Sequence, residues 1–139
     1  MTLLLRALAG SRLYGTASAH SDYDWYEVHD SIRANQRKVG DTDTIKMPLS
    51  QWLRLAESGT HQALDAMWCP PQYTEVDLLT AFRLGWRPDP WRVSNQLERM
   101  AFGSLFDRGE TKHLYRLLYC AQQVRYYGWY DPSDYGRYT

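Results

Sequence analysis

The apolar residues of this chain follow two patterns, one typical of strands and one typical of helices. Residues 3–9 form a short apolar run that ends at glycine, which indicates a buried strand. Residues 22–29 are read as a second strand. Beyond residue 48, apolar residues recur at spacings of three and four, which predicts amphipathic helices. These cover about residues 49–58, 60–71, 74–85, 91–105 and 110–127. The pattern therefore predicts an α+β fold, with a small mixed β-sheet and helices packed on it.

With 139 residues, the chain is long enough for one domain with a real core. We predict a single domain over residues 1–139, with a sheet-based core in 1–71 and a helical C-terminal part in 72–139. Residues 30–42 are polar and predict a hairpin or loop. Its cations Arg33, Arg37 and Lys38 either form a solvated surface or border a bound anion.

Residues 10–24 combine a Gly-Ser turn with two aspartates one residue apart. Alternate strand residues share a face, so Asp22 and Asp24 would place their carboxylates side by side. Such a pair favours Mg²⁺, which is commonly held by one or two carboxylates together with substrate phosphates. Gly10 lets a ligand approach the backbone closely, and the Ser11 hydroxyl is able to bond a phosphate oxygen. The segment predicts metal-dependent handling of a nucleoside triphosphate (NTP).

Gly10-Ser11 followed by Ser21-Asp22-Tyr23-Asp24 resembles the signature of the DNA polymerase beta-like nucleotidyltransferase superfamily. The longer string from Gly10 to Ala17 is similar to one branch of it, the predicted nucleotidyltransferases of bacteria and phages, which include RNA-repair-associated ones. The resemblance implies a minimal nucleotidyltransferase fold. It also implies Mg²⁺ or Mn²⁺ as cofactor, an NTP as substrate, and a bacterial or phage-infected cell as the setting.

The resemblance further implies a third carboxylate on the strand beside the Asp-x-Asp strand. Asp43 precedes the helical pattern that begins at Leu49, so it is the candidate, and Asp41 is the alternative. By this reading Asp22, Asp24 and Asp43 are both the metal ligands and the catalytic residues. A plain surface turn at residues 41–43 remains the other interpretation.

In the last predicted helix, His113 and Arg116 match a His-x-x-Arg motif of that branch. One interpretation places them on the triphosphate, together with Gly10 and Ser11. The other makes them a hydrogen-bonded pair that joins this helix to the sheet. Tyr14 and His61 are read as a packing residue and a surface or capping residue. The aromatic tail, residues 126–138, either covers the domain or stacks on a base, and we favour covering.

The composition bears on the partners and the cellular compartment expected for this protein. Basic and acidic residues number 16 each, so no overall field attracts nucleic acid or an anionic membrane. Cys69 and Cys120 are isolated, which predicts no disulfide partner and fits a reducing cytoplasm. The N-terminal apolar run is too short for a membrane span and lacks a signal-peptide layout.

These observations favour transfer of an NMP from an NTP to a hydroxyl of RNA, protein or a small molecule, by a two-metal-ion mechanism. The first alternative is a catalytically reduced nucleotidyltransferase-fold module that binds or regulates, for example in phage antidefence. A weaker alternative, RNA end repair, is implied only by the resemblance.

Overall fold

The computed structural model describes residues 2–108 and 111–138. It contains a five-stranded mixed sheet with helices, and this confirms the α+β class. The strands are β1 (Leu3–Ala9), β2 (Tyr23–His29), β3 (Asn35–Val39), β4 (Thr42–Pro48) and β5 (Thr74–Asp77). The helices are α1 (Gly10–Tyr14), α2 (Leu49–Glu57), α3 (His61–Met67), α4 (Thr80–Gly85), α5 (Pro90–Arg108) and α6 (Lys112–Tyr127), with short 3₁₀ turns at Pro71–Tyr73 and Tyr135–Tyr138.

The strand order is β3-β4-β2-β1-β5. Only the β2–β4 pair is parallel, and the other three pairs are antiparallel. The polar segment 30–42 therefore forms a hairpin arm, since β3 turns back through Gly40 to pair with β4. Because of this connection, β2 and β4 are neighbours that run in the same direction. Their N-terminal ends therefore lie side by side at one end of the sheet.

One hydrophobic core joins the sheet to the helices. β1 contributes Leu5 and Ala7, and the helices contribute residues such as Trp52, Leu97 and Leu117. Two tryptophans in this core satisfy their ring N–H groups with backbone carbonyls: Trp52 donates to Ala63 and Trp68 to Trp86. Cys69 and Cys120 are buried in it as free thiols. No helix within the described residues combines the length and the apolar composition needed to cross a bilayer.

The prediction of one helical segment over residues 74–85 is wrong. Residues Thr74–Asp77 form edge strand β5 against β1, with Val76 opposite Arg6, and only Thr80–Gly85 is helical. The spacing of Val76, Leu79 and Phe82 imitates a helix face, yet Phe82 is exposed. Asp77 separates the two elements because its carboxylate accepts the Leu79 N–H, a local bond that favours a turn.

The other helix boundaries agree with the sequence patterns to within a few residues. α5 begins at Pro90, and the Asp89 carboxylate caps it by accepting the N–H groups of Trp91 and Arg92. Glu110, the predicted start of the last helix, lies outside the described residues.

Arg83 is a fully buried cation that links α4, α3 and β5. Its Nη1 donates to the carbonyls of Ala66, Met67 and Cys69, where α3 ends, at 2.9–3.2 Å. Its Nε and Nη2 donate to the Asp77 carboxylate at 3.2 and 2.5 Å. The guanidinium therefore supplies donors to carbonyls that the helix itself leaves unpaired.

We expect Arg83→Met to lower the free energy of unfolding by about 3–5 kcal/mol, because it leaves Asp77 Oδ2 and three buried carbonyls without their donor. Arg54→Met, on the exposed face of α2, is the matched control and should change it by less than about 0.5 kcal/mol. Urea unfolding at pH 7 measures both, and equal effects would contradict the role given to Arg83.

Candidate active site

Two of the three predicted carboxylates lie side by side on neighbouring parallel strands. β2 and β4 pair in a register that sets Asp24 opposite Asp43. Both side chains line one cavity and are partly buried. The alternative residue, Asp41, is exposed in the β3–β4 turn and is not among the residues that line this cavity. The parallel pairing therefore makes Asp43 the direct partner of Asp24.

Asp22 occupies a different position. It lies one residue before β2, and its carboxylate forms an ion pair with Lys38 of β3, with Nζ 2.8 Å from Oδ2. Its side chain is 42% exposed and does not belong to the cavity lining. Of the three hairpin cations, Lys38 is thus the one that borders the carboxylates.

The carboxylates influence one another electrostatically. Burial raises the pKa of Asp24 above its ordinary value, and the charges of Asp43 and Asp22 raise it further, whereas Lys38 opposes the change. Asp24 is therefore a carboxylate whose ionised form the metal-free fold disfavours. A cation between Asp24 and Asp43 would relieve this repulsion.

The donor set at Asp24 and Asp43 suits a hard divalent cation. Asp43 accepts a hydrogen bond from the Gln36 amide at 2.9 Å through Oδ2, and its Oδ1 is buried without a partner among the described residues. Within the described chain, no three His, Cys, Asp or Glu side chains form a group able to hold a metal ion. Two carboxylates nevertheless fit Mg²⁺ or Mn²⁺ that takes its other ligands from water and nucleotide phosphates.

Gly10 is required by its contact with Asp24. Its φ is +65°, in the left-handed region, and a Cβ built on it would lie 2.1 Å from Asp24 Oδ2. This contact arises because Ala9, the last residue of β1, pairs with Asp24 across the sheet. The Gly-Ser turn thus lies directly against the carboxylate, and Ser11 follows it into the same cavity.

The cavity has a volume of about 700 Å³, which is within the range of small-molecule sites. It contains six of the seven predicted site residues: Gly10, Ser11, Asp24, Asp43, His113 and Arg116. Its other lining residues include Tyr14, Thr16, Ser21, Tyr26, Gln36, His61, Gln62, Asp65 and Tyr135. The fold therefore brings α6 and the C-terminal tail to the ends of β2 and β4 that carry the carboxylates.

A buried ion pair forms one wall of the cavity. Arg116 Nη2 donates to Asp65 Oδ1 at 2.6 Å, and both side chains are 3% exposed. The hydroxyls of Tyr14 and Tyr130 donate to the same carboxylate, and the guanidinium lies 3.4 Å from the centre of the Tyr14 ring. Burial is the largest single influence on Asp65 and opposes its ionisation, but Arg116, His61 and the Tyr130 hydroxyl together outweigh it and hold the pKa of that carboxyl well below its usual range. Arg116 is thus bridged to α3 and at the same time faces the cavity.

Buried polar atoms without partners concentrate at this cavity. Among the described residues, seven buried side-chain N or O atoms have no hydrogen-bond partner, and five of them belong to cavity-lining residues. These five are Tyr26 Oη, Asp43 Oδ1, His61 Nδ1, and Nε and Nη1 of Arg116. Each such atom costs about 1–3 kcal/mol, and native proteins tolerate few of them. Their clustering sets this cavity apart from the rest of the described interior.

Sequence reasoning missed two members of this site. The sequence patterns assign no role to Asp65, and they place Tyr130 only within the aromatic tail. A buried arginine needs an anionic partner, so Arg116 in an apolar helix face was the signal for Asp65. No local pattern marks Tyr130, because its contact with α3 is created by the tertiary fold. Tyr14, expected to be a packing residue, is buried and also hydrogen-bonded.

We expect Gly10→Ala to lower the free energy of unfolding by at least about 3 kcal/mol, since it adds a clash with Asp24 to backbone strain. Gly40→Ala is the matched control, because Gly40 has φ +62° but open space around it. The Gly40→Ala variant should lose only about 1–2 kcal/mol of its free energy of unfolding, from backbone strain alone. Adding Asp24→Ala to Gly10→Ala should recover part of the loss, and urea unfolding of these three variants and of the Asp24→Ala single variant tests this. Equal losses at the two glycines would contradict the contact.

We expect Asp24→Asn to stabilise the metal-free protein at pH 7 by less than about 1 kcal/mol, since solvent screens this partly exposed group. A raised pKa means that the folded state binds the proton more tightly, so stability falls as pH rises from the ordinary 3.8 through the raised value. The gain should therefore vanish below pH 3.8.

Chemical unfolding across pH measures this gain, with exposed Asp41→Asn as the control. A destabilised Asp24→Asn protein at pH 7 would contradict the repulsion.

No family model, curated protein or solved structure matches the chain. A functional assignment therefore depends on the residues of the cavity and on the chemistry they permit.

Proposed function

We propose that this protein transfers an NMP from an NTP to a hydroxyl acceptor. The observation that carries the proposal is the concentration of unpartnered polar atoms in the cavity that also holds Asp24, Asp43 and the Gly10 turn. A binding site for a compound with both anionic and neutral parts accounts for this combination of donors and acceptors. An NTP is such a compound.

The phosphates belong at the Gly10 end of the cavity. Ser11 supplies a hydroxyl, and Arg116 supplies two N–H groups, Nε and Nη1, that no described residue accepts. A guanidinium is well suited to bind phosphate oxygens because its N–H groups lie in one plane and it stays charged. Asp65 and the Tyr14 ring hold this guanidinium in place, so little side-chain entropy is lost when a phosphate binds.

Asp24 and Asp43 would hold a divalent cation, Mg²⁺ or Mn²⁺, which when bound neutralises phosphate charge and favours ionisation of an attacking hydroxyl. Asp22 lies close enough to affect the pKa of Asp24 and would join them after release from Lys38. Asp43 orients the acceptor hydroxyl, whose oxygen attacks the α-phosphorus as pyrophosphate leaves. Positioning and charge stabilisation supply most of the acceleration in such chemistry.

A binding or regulatory module is the second candidate, with nucleotide held but not transferred. It is favoured by the two contacts that occupy the carboxylates, Lys38 with Asp22 and Gln36 with Asp43. In an active enzyme these contacts must yield to the cation, whereas in a module they persist. The two candidates therefore differ in what happens to strand β3.

We expect transfer of label from α-³²P-NTPs, in Mg²⁺ or Mn²⁺, to an RNA, protein or small-molecule acceptor. Asp24→Asn and Asp43→Asn should each reduce the rate by at least about 100-fold, because each removes charge that stabilises the transition state. Asp41→Asn, the neighbouring surface carboxylate, should leave the rate within about twofold.

Binding measurements on the same variants separate the candidates. Divalent-dependent NTP binding without transfer to any acceptor supports the module. Transfer that survives loss of both Asp24 and Asp43 carboxylates rejects the proposed catalytic roles, and absence of NTP binding rejects both candidates.

A further inference from the structure

A second, smaller cavity adjoins the main one. It has a volume of about 290 Å³ and shares Tyr26, Gln36, Ile45 and Gln62 with the larger cavity. The remaining lining residues come from the start of β3, from β4 and from the α2–α3 region: Ala34, Asn35, Met47, Leu55 and Thr60. The two spaces are therefore neighbours, with Tyr26 and Ile45 between them.

The chemistry of this second cavity differs from that of the first. Its described lining contains no acidic or basic side chain, only amides, hydroxyls and apolar groups. The main cavity, in contrast, contains Asp24, Asp43 and Arg116. A phosphate moved into the neutral space would lose its hydration without gaining a cation, which is costly. The second cavity therefore favours an uncharged group that has both an apolar surface and a hydrogen-bonding atom.

Tyr26 shows that a polar partner is missing here. Its side chain is 2% exposed, and its hydroxyl has no hydrogen-bond partner among the described residues. The phenol O–H is therefore a buried donor that no described residue accepts. Gln36, which lines both cavities, donates to Asp43 and so connects the neutral space to the carboxylates.

The strand register places this space on the far side of the carboxylates from the Gly-Ser turn. Tyr26 and Ile45 are paired, and each follows its aspartate by two residues on the same strand face, a step of about 7 Å. The turn lies beyond β2 on the β1 side, whereas the neutral cavity lies on the β4 and β3 side. In phosphoryl transfer, the entering and leaving oxygens lie roughly in line on opposite sides of the phosphorus. Phosphates at the Gly-Ser turn and an acceptor in the neutral cavity would have this arrangement.

We propose that the second cavity binds the acceptor, and that the acceptor is an uncharged alcohol with the size of one side chain or ring. This inference rests on the proposed nucleotidyl transfer. The acceptor oxygen forms a bond to the α-phosphorus, the bond from that phosphorus to the leaving oxygen breaks, pyrophosphate departs, and the hydroxyl proton passes to Asp43. RNA ends fit poorly because a phosphate lies close to their hydroxyl.

The test uses neutral probes, N-acetyl-L-tyrosinamide and N-acetyl-L-serinamide, and the anionic dinucleotide UpU. Their binding is followed by NMR of the Met47 methyl group, with Mg²⁺ and a nonhydrolysable ATP analogue present. We expect at least one neutral probe to shift this signal and UpU not to shift it. Tyr26→Phe should weaken neutral-probe binding about tenfold by removing one hydrogen bond. It should not destabilise the protein, because the hydroxyl it removes is buried without a partner among the described residues. Because Tyr26 also lines the main cavity, the affinity for the ATP analogue is measured in parallel and should fall by less than the affinity for the neutral probe.

Tyr115→Phe is the matched control, since Tyr115 is 62% exposed on α6 and should affect neither ligand. Absence of a shift with both neutral probes, unchanged affinity in Tyr26→Phe, or an equal shift with UpU would overturn the proposal. Displacement of the neutral probe by adenosine would also overturn it, because the cavity would then hold the base. Failure of the ATP analogue alone to bind would reject the nucleotidyl transfer and leave a neutral-ligand cavity.

Discussion

The buried ion pair between Asp65 and Arg116 is the contact on which the architecture of the site depends. It joins α3 to α6, and through Tyr14 and Tyr130 it also fastens α1 and the C-terminal segment. Both charges are almost fully buried, so losing either one would leave the other uncompensated at a cost of about 3–5 kcal/mol. The wall opposite the carboxylates is therefore fixed by a contact that the fold cannot readily give up.

The same ion pair is one reason why the cavity contains buried polar groups in unfavourable surroundings. Asp65 accepts from Arg116 through one nitrogen, which leaves Nε and Nη1 buried and unpaired. On the facing wall, Asp24 is held beside Asp43 although its ionised form is disfavoured there. These costs are each small relative to the stability of a domain, but they accumulate at one place. A site prepared to bind a charged ligand has this character, because the ligand supplies the missing partners.

The sequence predicted the features that arise from local pattern, and it missed those created by tertiary packing. The apolar run at β1, the Asp22 and Asp24 pair and the amphipathic helices follow from spacing and could be predicted, whereas Asp43 was implied only by the family resemblance. Strand β5 could not, because four residues with a helix-like spacing became a strand only by pairing with β1. Asp65 and Arg83 were missed for a similar reason, since the groups that pair with each of them inside the protein are brought there by the tertiary fold: Arg116 for Asp65, and the carbonyls at the end of α3 for Arg83.

Strand β3 supplies the side chains that contact Asp22 and Asp43, so it affects how readily these carboxylates would bind a cation. All five of its residues are exposed, and it lies at the edge of the sheet. Its Lys38–Asp22 ion pair is also exposed, and solvent-exposed pairs of this kind contribute little to stability. A divalent cation bound to triphosphate interacts with carboxylates much more strongly than a solvated ammonium does. The ion pair is therefore too weak to close the site, and under the proposed function Lys38 would hold Asp22 near Asp24 until the cation binds.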